Sequence, residues 1–450
     1  MYKIILATRY LLKRRIAYFA VFAVALCVFI AFVVMTVMTG LVSDFRQKNH
    51  RFAGDCVVGT ESLVGFAHYE DFVEILEQQD FVEGVSAVIK SYALVTPDGV
   101  EDNYGLEMMG IDPALHSIAT GFGRSLHHRK DDVAKAFAPV YDTNLPGFIV
   151  GIDRWLMRDP EGKYTYRSRP AMASLMVTCF PLTAKGALAK VGAGLVNTKT
   201  FYFSDTSHSR LARVDSSMIY LSFEEAQMLC GMGEPVKRTN AIHIKFKPDV
   251  KLETGCGKVA SLWRSFKQEK ADQKYANLLE KVTVQSWKNN RRVFIAAMEK
   301  EQTMMTAMFV LVGITTVFIV FVVLYMIISH KSKDIGILKS IGVSNANVML
   351  LFLGFAFLVG FLGSVIGTVG GWQFLVHING IEKWLYDKFD YQPLWDRTIF
   401  AIDEIPNTID YKVLGVIILS AIAACLAGAL LPCRQAAKQK PVEILQVSQL

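Results

Sequence analysis

Four stretches of the chain hold no charged residue at all: Ile16 to Val42, Met304 to Ser329, Val348 to Val376 and Val413 to Pro432. A bilayer core of about 30 Å is crossed by ~20 apolar helical residues, so each run is long enough to span it. The second and third runs are separated only by a short charged interval that opens with His330-Lys331-Ser332-Lys333-Asp334. Within it Ile335, Leu338 and Ile341 recur at helical spacing, which predicts an amphipathic helix over Lys331 to Asn345 lying against the membrane or a partner. In the third run Gly363, Gly367 and Gly371 fall on one helix face at four-residue intervals. Uninterrupted small residues at this spacing favour a close-packed helix seam over mere tolerance of glycine in lipid.

The segment from Asp44 to about Lys300 has no comparable run, and its periodicity is mixed. Tyr69, Phe72, Ile75 and Leu76 mark one helix; Val85 to Val95 reads as strand, closed by a Pro97-Asp98-Gly99 turn. Phe148-Ile149-Val150 reads as a strand entering a turn and helix at Gly151. Met172 to Phe180, Phe201 to Phe203 and Ala241 to Phe246 are further strands. Ser222-x-x-Glu225 reads as a capping box opening a helix from Phe223 to Leu229. Ala271 to Lys300 reads as a charged helix running into the second span, so both ends of the domain would hang on helices continuous with spans, a layout suited to a lever. The fold class expected is a membrane protein with four transmembrane α-helices and a large α+β domain between the first and second.

Composition agrees: 52% of the 450 residues are hydrophobic, more than an ordinary soluble protein carries. Lysine and arginine then choose the side. Lys13, Arg14 and Arg15 precede the first span, Lys331, Lys333 and Lys339 lie between the second and third, and Arg434, Lys438 and Lys440 follow the fourth. The interval His377 to Lys412 is instead dominated by Glu382, Asp387, Asp390, Asp396, Asp403, Glu404 and Asp410. The expected layout is a cytoplasmic interfacial helix at 1–15, spans at 16–42, 303–329, 347–376 and 413–432, and a periplasmic α+β domain with stalk helices at 43–302. A cytoplasmic helix at 330–346, an acidic periplasmic loop at 377–412 and a cytoplasmic tail at 433–450 complete it. The first run is longer than a signal-peptide core, and no small-x-small cleavage site stands before Ser43-Asp44, so it is read as a retained span. The net charge of +7 is explained by these flanks and calls for no nucleic acid.

Of seven cysteines, Cys56, Cys179, Cys230 and Cys256 fall in the outer domain, where disulfides are permitted. Four cysteines allow three pairings, and the sequence favours none. Catalytic signatures are missing. Gly255-Cys256-Gly257-Lys258 lacks the upstream glycine and following Ser/Thr of a phosphate loop, and no buried strand precedes it as a dinucleotide fold would require. His127-His128 sits in a charged, solvated stretch rather than a metal-ligand cluster. No Gly-x-Ser-x-Gly or His-Glu-x-x-His occurs, and no ionisable group lies deep in a span, which argues against a hydrolase and an ion-coupled carrier. No catalytic, cofactor-binding or metal-binding residue is therefore expected.

Lys331-Ser-Lys-Asp-Ile-Gly-Ile-Leu-Lys-Ser-Ile-Gly-Val343 resembles the K-x-x-[DE]-I-[GA]-I-L-[RK]-x-[ILM]-G segment of the FtsX-like/MacB-like permeases of ATP-binding cassette (ABC) systems. Pro432-x-Arg434-x-Ala436-Ala437-x-x-x-Pro441-Val-Glu443-Ile-Leu445 is similar to their closing P-x-x-x-A-x-x-x-x-P-x-x-x-L pattern. Arg9-Tyr10-Leu11-Leu12, Gly110-Ile111-Asp112-Pro113, Glu299-Lys300-Glu301 with Met304-Met305, and Asp403-Glu404-Ile405-Pro406 are also similar, most of all to the lipoprotein-releasing (LolC/LolE-type) permeases. The resemblance implies a multi-pass protein of the bacterial inner membrane. Its partners would be an ABC ATPase subunit dimer binding ATP-Mg, a second permease copy or paralogue, and a periplasmic adaptor or lipoprotein. It also makes Lys331, Lys333, Asp334, Ile335, Gly336, Leu338, Lys339, Ile341 and Gly342 the ATPase-coupling helix. The function implied is mechanotransmission: ATP hydrolysis on a separate subunit moves the periplasmic domain for lipoprotein release or export. The alternative is an FtsX-type regulator that activates a cell-envelope hydrolase or sensor.

Overall fold

The computed structural model describes residues 15–99, 102–139, 141–158, 164–166, 173–189, 196–330, 332–389 and 404–438. The expected interfacial helix at 1–15, all but its last residue, lies outside them, as do Lys331, the Pro441 to Leu445 part of the closing motif and most of the acidic stretch between Asp390 and Asp403. Along the chain come α1 (Arg15–Ala53), β1 (Cys56–Gly59), β2 (Phe66–Ala67), α2 (Tyr69–Glu77), β3 (Val82–Pro97), β4 (Tyr104–Ile111) and α3 (Pro113–Ala119). They are followed by β5 (Gly147–Gly151), β6 (Leu156–Arg158), β7 (Tyr164–Tyr166), β8 (Ser174–Cys179), β9 (Asn197–Ser207), β10 (Met218–Ser222) and α4 (Phe223–Leu229). Then come β11 (Arg238–Thr239), β12 (Ala241–Phe246), α5 (Leu252–Glu269), β13 (Thr283–Ser286), α6 (Arg292–His330), α7 (Ser332–Ser340), α8 (Asn345–Phe389) and α9 (Tyr411–Lys438). Two compact units result: a helical one from the described residues of 15–43, 297–389 and 404–438, and a sheet unit from those of 44–296.

In the sheet unit, nine strands run in the order β13-β1-β12-β3-β4-β10-β5-β9-β8, and β8 also pairs with β3. The long strand β3 makes this possible. It is antiparallel to β12 from Val82 to Val88, then takes β8 from Leu94 to Pro97, while β4 covers its other edge from Val88 to Val95. Six strands (β3, β4, β10, β5, β9 and β8) therefore close into a barrel, which removes their free edges. Its interior is filled at alternate positions by Ala93 and Val95, Leu106 and Met108, Phe148 and Val150, Leu175 and Val177, Phe201 and Phe203, Ile219 and Leu221. On the β13-β1-β12 extension, α2 and α5 pack through Phe72, Trp263 and Phe266, with the Phe72 and Trp263 rings edge to face at 4.7 Å.

Two local expectations fail, and one expected strand proves longer. The segment read as helix from Ala271 begins as turns and then pairs Thr283–Ser286 with β1; the long helix starts only at Arg292. The open edge of β1 decides this, since a short stretch takes whichever backbone partner is offered. Ser222 does start α4 but its side chain makes no capping bond, and Glu225 pairs instead with Lys199 Nζ at 2.7 and 2.8 Å. Phe201 to Phe203 is the centre of an eleven-residue strand rather than a short one.

Two histidines lie between the sheet and α3. His116 is 2% and His243 1% exposed, and their rings meet edge to face with centroids 5.5 Å apart. Ser86 Oγ lies 3.1 Å from His116 Nδ1. Burial, and after it the charge of Lys90, pushes His116 down to about 3, and burial holds His243 well below the ordinary imidazole value.

In the helical unit, Val24 and Val28 of α1, Val320, Leu324 and Ile328 of α6, Phe352, Phe355 and Val359 of α8 and Cys425, Ala429 and Cys433 of α9 share one core. Its outward residues are apolar too: Phe19, Phe22, Leu311, Phe318, Val416 and Leu419 are exposed, as lipid-facing helices require. All four of these helices are long and apolar enough to cross a membrane. The three glycines of α8 lie against α1. A Cβ on Gly363 would stand 2.7 Å from Val24 Cγ1, on Gly367 2.5 Å from the Ala25 carbonyl oxygen, and on Gly371 2.6 Å from the Phe32 ring. Only hydrogen fits there, and it lets the two backbones approach.

Two outcomes follow. The unfolded chain protonates His116 and His243 before the folded one does. Their contribution is whole above pH ~6.5 and drains as pH falls; for His116 alone, going from pH 7 to 5 should cost the sheet unit about 2 kcal/mol. Denaturant titrations of the detergent-solubilised chain, followed by tryptophan fluorescence, should show a shallower slope in His116→Gln. A pH-independent midpoint would mean the histidines are not held neutral. Gly367→Ile should weaken the helical unit by ~1–3 kcal/mol through overpacking. Gly370→Ile serves as control, because its nearest neighbour is 3.7 Å away and it should melt like the parent.

Candidate functional site

The polar interval between α6 and α8 folds as α7, nine residues from Ser332 to Ser340, shorter than the expected Lys331 to Asn345. A turn ends it: the amide of Ile341 donates to Ile337 O (3.1 Å), that of Gly342 donates to Lys339 O (3.0 Å), and Gly342 takes φ +98. That left-handed backbone is open to glycine at no steric cost. α8 then starts under Ser344, whose carbonyl takes the Val348 amide and whose hydroxyl takes that of Asn347 (3.3 Å). Helix, turn and helix are thus set by Gly342 and Ser344, two residues that periodicity alone does not single out.

α7 is fastened to the helical unit at two points. Ile335 is 2% exposed inside the shared core, and Gly336 beside it is buried. Lys339 Nζ donates to the Ala437 carbonyl oxygen at 2.8 Å, near the end of α9. This charge-assisted bond occupies one of the last helix carbonyls, where a cation also meets the negative end of the helix dipole. The expected apolar face divides: Ile335 turns inward, whereas Ile341 is 76% exposed and Ile337, not among the expected residues, is 51% exposed. Only the backbone of Lys333, Asp334 and Leu338 is described, within α7. Gly363, Gly367 and Gly371 belong to the α1 seam and not to this segment. Among the described side chains the arrangement offers no acid or nucleophile in a cleft. It offers a short rigid rod with two exposed isoleucines, held by its neighbours.

Other sequence signals fall elsewhere. Gly255-Cys256-Gly257-Lys258 lies inside α5, with Gly255 against the Phe246 ring, so its amides are committed to a helix. The His127 and His128 rings sit edge to face, centroids 4.7 Å apart, and the Asp205 carboxylate accepts the backbone amides of His128 and Arg129 at 2.8–3.1 Å. Among the described residues no three His, Cys, Asp or Glu side chains are grouped to hold a metal ion. One buried charge has no sequence signal: Arg238, fully buried, donates to the carbonyl oxygens of Val64 (2.7 Å), Leu182 (2.7 Å) and Gly231 (2.6 Å).

Residues 306–441, which contain α7, match the family model of the FtsX-like permease C-terminal domain. The lipoprotein-releasing system transmembrane protein LolC of Neisseria meningitidis is 27% identical over 165 residues, 37% of this chain and 40% of that protein. LolE of Haemophilus influenzae is 27% identical over 146 residues, 32% of this chain and 34% of its own length. The chain thus spans about two fifths of the LolC sequence it matches. Among solved structures, the periplasmic region of MacB from Actinobacillus actinomycetemcomitans aligns with TM-score 0.31 and 10% identity, covering 54% of this chain and 93% of that one. The extracellular domain of YknZ from Gram-positive bacteria aligns with TM-score 0.30 and 10% identity, covering 52% and 98%. Charge-free helical runs, a short helix between two of them and the match over 306–441 lead to one conclusion: this is a membrane protein whose residues 306–441 form an FtsX-like permease C-terminal domain.

Proposed function

We propose that the chain is the permease subunit of an ABC system of the mechanotransmission type. A separate ATPase subunit dimer hydrolyses ATP, and the permease carries the resulting motion to its sheet unit on the periplasmic side of the inner membrane. The reading rests on α7: a rod wedged by Ile335 into the core and tied by Lys339 to α9 cannot shift without moving the spans. Ile337 and Ile341 are then the apolar contacts left for a groove on the ATPase. The LolC and LolE names favour lipoprotein release or export as the task, with a second permease copy or paralogue as partner. The basic flanks of the spans support a cytoplasmic α7 and a periplasmic sheet unit.

The experiment is Ile341→Asp, alone and with Ile337→Asp. A charge left unpaired in a protein groove costs about 3 kcal/mol or more, on the order of a hundredfold in affinity. The variants should insert and melt like the parent, yet lose co-purification of the ATPase and stimulation of its turnover. Parental ATPase retention would mean that this surface merely rests on lipid headgroups.

A further inference from the structure

The fold sorts the four outer cysteines into two apolar clusters, two in each. Cys56 on β1 and Cys256 on α5 lie in the same apolar cluster, their thiols within hydrogen-bonding reach. Cys179, the last residue of β8, and Cys230, just after α4, share the barrel core, and their thiols are likewise in reach. The backbone brings each couple together independently. Cys56 sits beside Asp55, whose carboxylate accepts the Phe246 amide at 2.8 Å, and Gly255, next to Cys256, rests on the Phe246 ring. For the second couple, the Leu182 amide donates to Cys230 O at 3.1 Å, and one Arg238 nitrogen grips both Leu182 O and Gly231 O.

We propose that the mature protein carries two disulfides, Cys56–Cys256 and Cys179–Cys230, acquired by exchange with the reactive disulfide of a periplasmic thiol oxidant. The proposal rests on the periplasmic placement of the sheet unit. In each exchange both S–H bonds break, one Sγ–Sγ bond forms, the donor's S–S bond breaks, and the two protons and two electrons pass to the donor, which ends as two thiols. Within each couple the shared hydrogen bond pulls one thiol down, Cys256 or Cys230, and pushes its mate up. Cys256 is the half-exposed member of its pair, so it is the thiolate that attacks the donor, and buried Cys56 then resolves the mixed disulfide. Cys179 and Cys230 are both buried in the barrel, so their bond must form before the barrel closes. Each bond joins strand to helix end across a long loop, a constraint mainly on the unfolded chain.

The test counts free thiols in the full chain. Cells are acid-quenched, and the denatured protein is treated with a polyethylene-glycol maleimide with and without prior reduction. Of the seven cysteines, only Cys27, Cys425 and Cys433 should react unreduced, giving three adducts (7 − 4) against seven after reduction. Cys256→Ser should give four, by freeing Cys56, and peptide mass spectrometry should find the two named links. A parallel arm reduces the purified chain in detergent and reoxidises it with oxidised glutathione. Seven adducts after that treatment, or links between other cysteines, would overturn the pairing itself. Three adducts in detergent but seven from cells would overturn the proposal through the periplasmic placement instead.

Discussion

In lipid there is no water to drive apolar helices together, so a bundle holds only where shapes fit. The fit between α8 and α1 is the constraint on which the helical unit depends. Gly363, Gly367 and Gly371 present bare backbone to Val24, Ala25 and Phe32, and no side chain could be inserted without moving one helix. Gly428 of α9 does the same against the Val317 carbonyl of α6, at 2.5 Å from a would-be Cβ. With the helices so placed, the pocket that receives Ile335 exists, and α7 has something to be wedged into. The short helix is therefore seated by packing set deep within the spans.

The sheet unit reaches rigidity by another route. Barrel closure depends on the single long strand β3, which changes partner between Val88 and Leu94 and so belongs to both the barrel and the β13-β1-β12 extension. Arg238 then binds three loops with one guanidinium, each bond going to a backbone carbonyl. Among the described residues, six strands of this unit have no free edge.

Much of this was legible in the sequence, for physical reasons that also mark the limit. Charge-free runs announce spans because burying charge in lipid is so costly that its absence is informative. The glycine repeat is readable because a helix converts four-residue spacing into a stripe. Strands β5, β8 and β12 were visible from their apolar clustering. What escaped was decided by partners distant in sequence: Thr283–Ser286 is strand because β1 needs a neighbour, and β8 closes the barrel on a residue some eighty positions earlier, Leu94. The inward turn of Ile335 escaped for a different reason. A nine-residue helix ended by Gly342 is too short for periodicity to choose its face, so packing chose it.

The central claim is that nucleotide-driven movement at α7 reaches the sheet unit. It is tested most directly by the distance between spin labels on Ser125→Cys in the two permease copies of a complex reconstituted with its ATPase, in a background otherwise free of reactive thiols. Adding a non-hydrolysable ATP analogue should shift the distance distribution, and the shift should vanish when Ile341→Asp uncouples the ATPase. A distribution unchanged by nucleotide, in a complex whose ATPase still turns over, would contradict the account.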